Sequence, residues 1–93
     1  MREKVIEKKL VDAAKSKGGL ALKFASKSFT GMPDRIVLLP FGHIGFVECK
    51  APGEKPRELQ IHRMKLLKKL GFKVYVLDKM ENIGEIIDDI QRS

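Results

Sequence analysis

The sequence has few cysteines and aromatic residues and no long apolar run. Its 93 residues include a single cysteine, which excludes an internal disulfide and is typical of proteins in a reducing compartment. No apolar run approaches the roughly 20 residues needed to cross a bilayer. The charged start, Met1 to Lys4, is not followed by the apolar core of a secretion signal. We therefore expect an intracellular, cytoplasmic protein without a membrane segment.

The scarcity of aromatic residues and of cysteine and histidine excludes two further kinds of site. Five Phe, one Tyr and no Trp are too few for an aromatic platform that stacks single-stranded bases. Cys49, His43 and His62 do not have the spacing of a zinc site. We therefore expect Cys49 to pack in the core as a small hydrophobic residue.

Basic residues, by contrast, are abundant. Nineteen Lys and Arg against twelve Asp and Glu give a formal net charge of +7. An apolar content of 43% with 33% charged residues indicates a folded globular protein, and the length fits a single domain over residues 1–93. The excess of positive charge is compatible with a merely basic protein. It also predicts a polyanionic partner, and duplex or branched nucleic acid bound through its phosphates fits best.

The most informative stretch covers residues 31–50. Two short apolar, β-branched runs, Arg35–Leu39 and Ile44–Lys50, flank a Pro/Gly turn and predict a β-hairpin. Pro33 fixes its own φ, and Gly31 allows a tight entry into the first strand. The chain is thus expected to enter the hairpin in a defined direction.

Two acids and a lysine are expected to meet on one face of this hairpin. Side chains alternate along a strand, so Glu48 and Lys50 share a face. With Leu38 placed opposite Phe46, Asp34 falls opposite Lys50 and diagonal to Glu48. Hard anionic oxygens on a rigid element are what a Mg²⁺ site needs. The alternative is a solvated cross-strand salt bridge with no further role.

The composite pattern Gly31-x-Pro33-Asp34, followed after one hairpin by Glu48-x-Lys50, resembles the PD-(D/E)xK nuclease superfamily. More narrowly, nearly the whole chain is similar to a stand-alone VRR-NUC (virus-type replication-repair nuclease) domain of the viral or prophage type. The resemblance implies an α/β fold with a restriction-endonuclease-like core. In that core a mixed β-sheet is flanked by helices in the order αβββαβα.

The remaining elements predicted from the sequence agree with this order. Residues 2–17 form an amphipathic helix, 20–25 a strand covered on both faces, 56–70 a second helix, and 72–77 a strand parallel to the hairpin. A capping box over residues 78–81 opens the last helix. That helix presents four isoleucines to the core: Ile83, Ile86, Ile87 and Ile90. The second helix is predicted to bury a leucine stripe formed by Leu59, Leu66, Leu67 and Leu70.

Two further polar residues are candidates for the site. Glu7 lies at the edge of the apolar arc of the first helix, where it gains from the helix dipole or, by the resemblance, joins the metal site. Gln60 borders the core stripe of its helix and is either an ordinary edge residue or, by the resemblance, a group that reaches back to Glu48 and Lys50.

Candidate nucleic-acid contacts lie around the loop that leads into the hairpin. Lys27, Ser28 and Thr30 are expected to donate hydrogen bonds to backbone phosphates, although a merely solvated loop would contain the same residues. Lys23 and Arg35, on the strands that flank this loop, are assigned to the same phosphate path.

The resemblance implies a Mg²⁺-dependent DNA endonuclease in which Mn²⁺ is able to replace Mg²⁺. Asp34 and Glu48 are expected to bind the metal, with Glu7 and the backbone carbonyl of Cys49 as further ligands. Lys50 is expected to activate the attacking water.

Gln60 is expected to orient that lysine or the scissile phosphate. By the resemblance to stand-alone members of this size, we expect a homodimer that resolves four-way (Holliday) junctions during replication and repair, with Ile61 and Met64 as candidate interface residues. The alternatives are a nuclease of flap, nick or restriction type and a non-catalytic basic module that binds nucleic acid.

Overall fold

A computed structural model describes residues 2–92 as one four-stranded sheet with helices on both faces. The elements are α1 (Glu3–Ser16), β1 (Leu20–Lys23), β2 (Arg35–Leu39), β3 (His43–Cys49), α2 (Glu58–Lys69), β4 (Lys73–Leu77) and α3 (Ile83–Gln91). The strands follow the order β1-β2-β3-β4; the first three are antiparallel, and β4 is parallel to β3. The predicted αβββαβα order and mixed sheet are confirmed. Within residues 2–92, no helix has the length and apolar character needed to span a bilayer.

The main core lies between one face of the sheet and helices α1 and α3. Ile6 and Leu10 of α1 are fully buried there. Gly45 of β3 allows α3 to approach closely, because a Cβ at this position would stand 2.5 Å from Cδ1 of Ile90. The four isoleucines of α3 that were predicted to face the core are all buried.

The opposite face of the sheet is covered only in part, because α2 packs there alone. Met64 and Leu67 are its buried residues, and they form a cluster with Phe46 and Val74 of the sheet. The predicted leucine stripe is therefore wrong except for Leu67. The exposed fractions of the other leucines are 44% for Leu59, 39% for Leu66 and 64% for Leu70.

The helix carries apolar residues around much of its circumference, so their spacing did not reveal which arc meets the sheet. Met64, predicted as an interface residue, is only 7% exposed and belongs to the core, whereas Ile61 is 40% exposed.

Strand β1 forms one edge of the sheet, and the prediction that both of its faces are covered is wrong. Only Ala21 is buried, on the face that meets α1, while Leu20 and Leu22 are 47% and 44% exposed. The helix on the other face, α2, packs over β3 and β4 and leaves these two leucines in solvent.

The hairpin register also differs from the prediction. Leu38 lies opposite Ile44 and not opposite Phe46. The difference arises at the turn, where residues 40–42 connect the strands and Phe41 takes a positive φ of 68°. A shift of two residues preserves the alternation of side chains, so each residue stays on its predicted face.

The approach to α3 contradicts the predicted capping box over residues 78–81. A 3₁₀ turn, Met80–Asn82, precedes the helix, and no side chain caps either element. The backbone N–H of Asn82 instead donates to the carbonyl of Lys79 at 3.1 Å. A backbone hydrogen bond within the turn thus takes the place of the predicted capping by side chains.

Candidate functional site

Asp34 and Glu48 meet at the end of the hairpin that lies farthest from its turn. Continuing the β2–β3 register by one residue places Asp34 across from Glu48. The backbone N–H of Asp34 donates to Oε1 of Glu48 at 3.1 Å, and the backbone N–H of Cys49 donates to Oδ1 of Asp34 at 3.0 Å. Each carboxylate is thus anchored to the opposite strand.

Glu48 is held by side chains as well as by the backbone. Glu48 is 3% exposed, and its Oε2 accepts a hydrogen bond from Nε2 of Gln60 at 2.8 Å. Nζ of Lys50 lies 3.3 Å from the same oxygen, and the Lys50 side chain is 12% exposed. Oε1 of Gln60 accepts from the backbone N–H of Arg57 at 2.8 Å, which ties the first turn of α2 to the site. The structure therefore brings together the four predicted catalytic residues, Asp34, Glu48, Lys50 and Gln60.

Asp34 carries the perturbed carboxyl of this cluster. Its pKa is raised from the ordinary 3.8 to about 6, mainly by partial burial and also by the nearby charges of Glu48, Glu7 and Glu3. The hydrogen bond from the Cys49 amide acts in the opposite direction. A carboxyl that is costly to ionise among other acids would gain from a cation beside it.

Glu7 reaches this end of the sheet from α1 and is joined there by Glu3. Nε of Arg35 lies 3.0 Å from Oε1 of Glu7, and the same guanidinium donates to the Ala21 carbonyl at 3.2 Å. One oxygen each of Glu3, Glu7 and Asp34 lies within 4.8 Å of the others. Glu3 was not predicted as a site residue. Its i, i+4 spacing from Glu7 on one helix is the signal that would have identified it.

The predicted phosphate contacts occupy two different environments. Lys23, Lys27, Ser28 and Thr30 are exposed and free to meet a large ligand. The Arg35 side chain is only 12% exposed and is directed to Glu7. It therefore shapes the acidic cluster rather than the surface of the loop.

Cys49 contributes its backbone to the site, while its side chain lies in the core. The residue is 1% exposed, and burial, together with the charge of Asp34, raises the pKa of its thiol. The thiol is thus neutral and shielded, as expected for a small hydrophobic core residue. The role predicted for its carbonyl as a metal ligand stays a prediction.

The loop between β1 and β2 packs against α2 and is hydrogen-bonded to it. Nε of Arg63 donates to the Thr30 carbonyl at 2.8 Å, and the guanidinium carbon lies 3.7 Å from the centroid of the Phe29 ring. Gly31 has a φ of 90°, and a Cβ there would stand 2.7 Å from Cγ of Leu59. The glycine thus permits both the backbone conformation and the close approach of the helix.

Comparison with known proteins identifies the family of this chain, although no family model matches the sequence. Over 81 residues, 87% of each protein, the chain is 51% identical to a protein of Acyrthosiphon pisum secondary endosymbiont phage 1 named "Putative nuclease p44". It also superposes on a solved structure titled "VRR_NUC domain" with a TM-score of 0.85 and 30% identity, covering 92% of this chain and 94% of the other. The resemblance noted in the sequence is confirmed, and the chain belongs to the VRR-NUC family of nucleases.

Proposed function

We propose that this nuclease is a Mg²⁺-dependent, structure-specific DNA endonuclease that hydrolyses phosphodiester bonds. The observation that carries the proposal is the gathering of Asp34, Glu48, Glu7 and Glu3 at one end of the sheet, with Lys50 at their side. Burial makes Asp34 costly to ionise, and repulsion from Glu48, Glu7 and Glu3 adds to the rise in its pKa. A divalent cation would relieve that repulsion.

The donor set fits Mg²⁺. One oxygen each of Glu3, Glu7 and Asp34 lies within 4.8 Å of the others, and Glu48 accepts from the Asp34 N–H beside them. A Mg²⁺ ion with ligands at about 2.1 Å spans about 4.2 Å between opposite oxygens. Small side-chain movements would bring these oxygens into contact with one ion. Mn²⁺ prefers the same carboxylate and water ligands and should be able to replace Mg²⁺.

Asp34 and Glu48 would hold the ion, with Glu7, Glu3 and the Cys49 carbonyl as further ligands. When bound, Mg²⁺ neutralises phosphate charge and lowers the pKa of a coordinated water.

Lys50 and Gln60 would act on the reacting groups from the protein side. The Lys50 ammonium lies 3.3 Å from Glu48 and is nearly buried. It would orient a water molecule and offset the negative charge that develops on the phosphate. Gln60 bridges Glu48 and the first turn of α2, so it keeps the carboxylate in one orientation.

The charge distribution suggests how DNA approaches the site. The exposed residues Lys23, Lys27, Ser28 and Thr30 lie on or beside the loop that enters the hairpin, and they would contact phosphates on both sides of the scissile bond. Five acids follow one another in and before α3, namely Asp78, Glu81, Glu85, Asp88 and Asp89. DNA would therefore approach from the side of the loop that enters the hairpin, and it would avoid α3.

The open part of the α2 face supports the proposal of a homodimer. Leu20 and Leu22 of β1 and Ile44 of β3 are 47%, 44% and 38% exposed on this face, and Leu20 and Ile44 both lie opposite Leu38 of β2. Contiguous exposed apolar residues often mark an interface. A two-fold dimer joined through this face would carry two active sites, which suits paired cuts in the symmetric strands of a four-way junction.

Cleavage assays on matched substrates test the proposal. End-labelled four-way, flap, nicked and plain duplexes of one sequence are incubated with Mg²⁺, Mn²⁺ or EDTA. We expect metal-dependent cuts with preference for the four-way junction, and no cuts by the Asp34→Asn variant. Preference for the flap or nicked duplex would assign another specificity to the same site. Binding without cleavage under every condition would refute the endonuclease proposal and leave a binding module.

Sedimentation of single-residue variants tests the dimer. We expect a wild-type dimer that Leu22→Glu converts to monomers, because the new charge would be buried in the interface. Val5→Glu is the matched control, since Val5 is 42% exposed on α1 and lies away from this face. A wild-type protein that sediments as a monomer at the concentration used for cleavage would contradict the dimer.

A further inference from the structure

A cavity of about 260 Å³ opens directly beside the two hairpin carboxylates. It lies between the loop that joins β1 to β2 and the first turn of α2, and Asp34, Glu48 and Gln60 form one wall. Phe24, Met32 and the hydroxyl residues Ser26 and Thr30 are among its other lining residues. Anything bound at the carboxylates therefore has this cavity as its immediate neighbour.

The lining suits a flat group that is apolar on its faces and polar at its edges. The Phe24 ring packs edge-on against Phe46 with centroids 5.8 Å apart, and Met32 packs against the same cluster, so both offer a fixed apolar surface. Ser26, Thr30 and Gln60 add polar groups around that surface. Among the described residues that line the cavity none is Lys or Arg, which argues against a phosphate as its occupant.

The loop that lines the cavity is held in place by contacts with α2, so the cavity is preformed. Arg63 binds the Thr30 carbonyl, and Gly31 packs against Leu59. The volume is slightly below the roughly 300 Å³ at which pockets for drug-sized ligands begin. That size accommodates one nucleoside rather than a stack of several.

We propose that this cavity receives the base and sugar of one unstacked nucleotide next to the scissile phosphate. The inference rests on the proposed function, because it places the phosphate at Asp34 and Glu48. A nucleoside attached to that phosphate has to lie within one nucleotide of the carboxylates, where the cavity is.

A base in an intact duplex is paired and stacked, and it enters such a pocket only after leaving the helix. That step costs least where the helix is already interrupted. The cavity thus selects DNA with a loosened base at a branch point or nick over continuous duplex, without reading its sequence.

Fluorescence of 2-aminopurine tests this inference independently of cleavage. The base analogue replaces, in turn, each nucleotide next to the branch point of a four-way junction, and the wild-type protein is titrated in Ca²⁺ so that binding is observed without Mg²⁺. We expect a saturable rise in emission at one position, because the analogue brightens when it leaves the stack. No rise at any position would overturn the inference.

A variant that fills the cavity gives the second readout. Ser26→Phe should abolish the rise in emission and reduce the preference for the junction over plain duplex by about tenfold, the effect of losing the contact with one base. Gly84→Phe is the control, because it adds the same ring to α3, where no atom beyond the adjacent helix backbone lies within 4 Å of a new Cβ. An emission rise that survives in Ser26→Phe would also overturn the inference, and thermal unfolding reports whether each variant is folded.

The two proposals fail in different ways. Metal-dependent cleavage of the junction without any rise in emission would leave the endonuclease intact and remove the nucleotide pocket. A rise in emission that Ser26→Phe abolishes, without cleavage by the wild-type protein, would keep the pocket and remove the endonuclease.

Discussion

Removing the charge of Asp34 should stabilise this protein while it abolishes cleavage. In Asp34→Asn the amide oxygen still accepts the hydrogen bond that the Cys49 N–H donates at 3.0 Å. The new amide group is neutral beside the carboxylates of Glu3 and Glu7, of which one oxygen each lies within 4.8 Å of an Asp34 oxygen. The substitution therefore removes one of four crowded negative charges and keeps the local geometry.

The size of the effect follows from the raised pKa of Asp34. A change from 3.8 to about 6 corresponds in full to about 3 kcal/mol, since each tenfold change in proton affinity is worth about 1.4 kcal/mol. Asp34 is half-buried, so solvent screening reduces this to about 1 to 2 kcal/mol. For a domain of this size the melting temperature would rise by about 5 to 10 °C.

The sign depends on pH in a defined way. A carboxyl whose pKa is raised on folding favours the folded state while it is protonated, and that contribution is lost as the pH rises from 3.8 through about 6. Wild-type protein and Asp34→Asn should therefore be equally stable near pH 3.5. The variant should be the more stable above pH 7.

Thermal and urea unfolding in EDTA at several pH values measure the difference. Asp12→Asn is the control, because Asp12 is exposed in an ion pair with Lys8 and should change stability by less than about 0.5 kcal/mol. Adding Mg²⁺ should stabilise the wild-type protein, by about 2.7 kcal/mol at 100 times the dissociation constant, and leave Asp34→Asn nearly unchanged. A variant that is no more stable than wild type at pH 7.5, or a difference that does not vary with pH, would refute the reasoning.

Four further predictions concern single side chains. Lys50→Ala should lower the cleavage rate about 10²- to 10³-fold in single-turnover assays while junction binding persists, and unchanged cleavage would remove its assigned role. Gln60→Ala should cost about 10- to 100-fold in the apparent affinity for Mg²⁺, read from the metal dependence of cleavage, and an unaltered dependence would show that it does not position Glu48. Arg35→Gln should lower the free energy of unfolding by about 3 kcal/mol, because it breaks a nearly buried ion pair, and a loss below about 1 kcal/mol would contradict that picture. Met64→Ala should cost about 2 to 4 kcal/mol and the control Leu70→Ala less than about 1 kcal/mol, and the reverse order would show that α2 packs through its other arc.

Much of the fold was predictable because local patterns and tertiary structure agree. The four isoleucines of α3 recur at helical spacing and are all buried. The helix between β3 and β4 makes a parallel pairing natural, and the pairing is parallel. Asp34 and Glu48 meet because strand alternation fixes their face, and alternation survives an error of two residues in register.

The features that were not predictable depend on contacts between distant parts of the chain or on rare backbone conformations. The register follows from the turn at Phe41, whose positive φ is uncommon for a residue with a side chain. The ion pair of Arg35 with Glu7 joins residues 28 positions apart, and no local pattern indicates it. Because α2 has apolar residues on several sides, the sequence alone does not show which side packs against the sheet.

The central claim is that the acids at the end of the hairpin hold a divalent cation for phosphodiester hydrolysis. Isothermal titration of the DNA-free protein with Mg²⁺ or Mn²⁺, followed by addition of a labelled four-way junction to the same samples, tests it most directly. We predict saturable metal binding that is lost in Asp34→Asn, and cleavage that follows the metal occupancy. Cleavage at full rate in EDTA, or metal binding that Asp34→Asn leaves unchanged, would contradict the account.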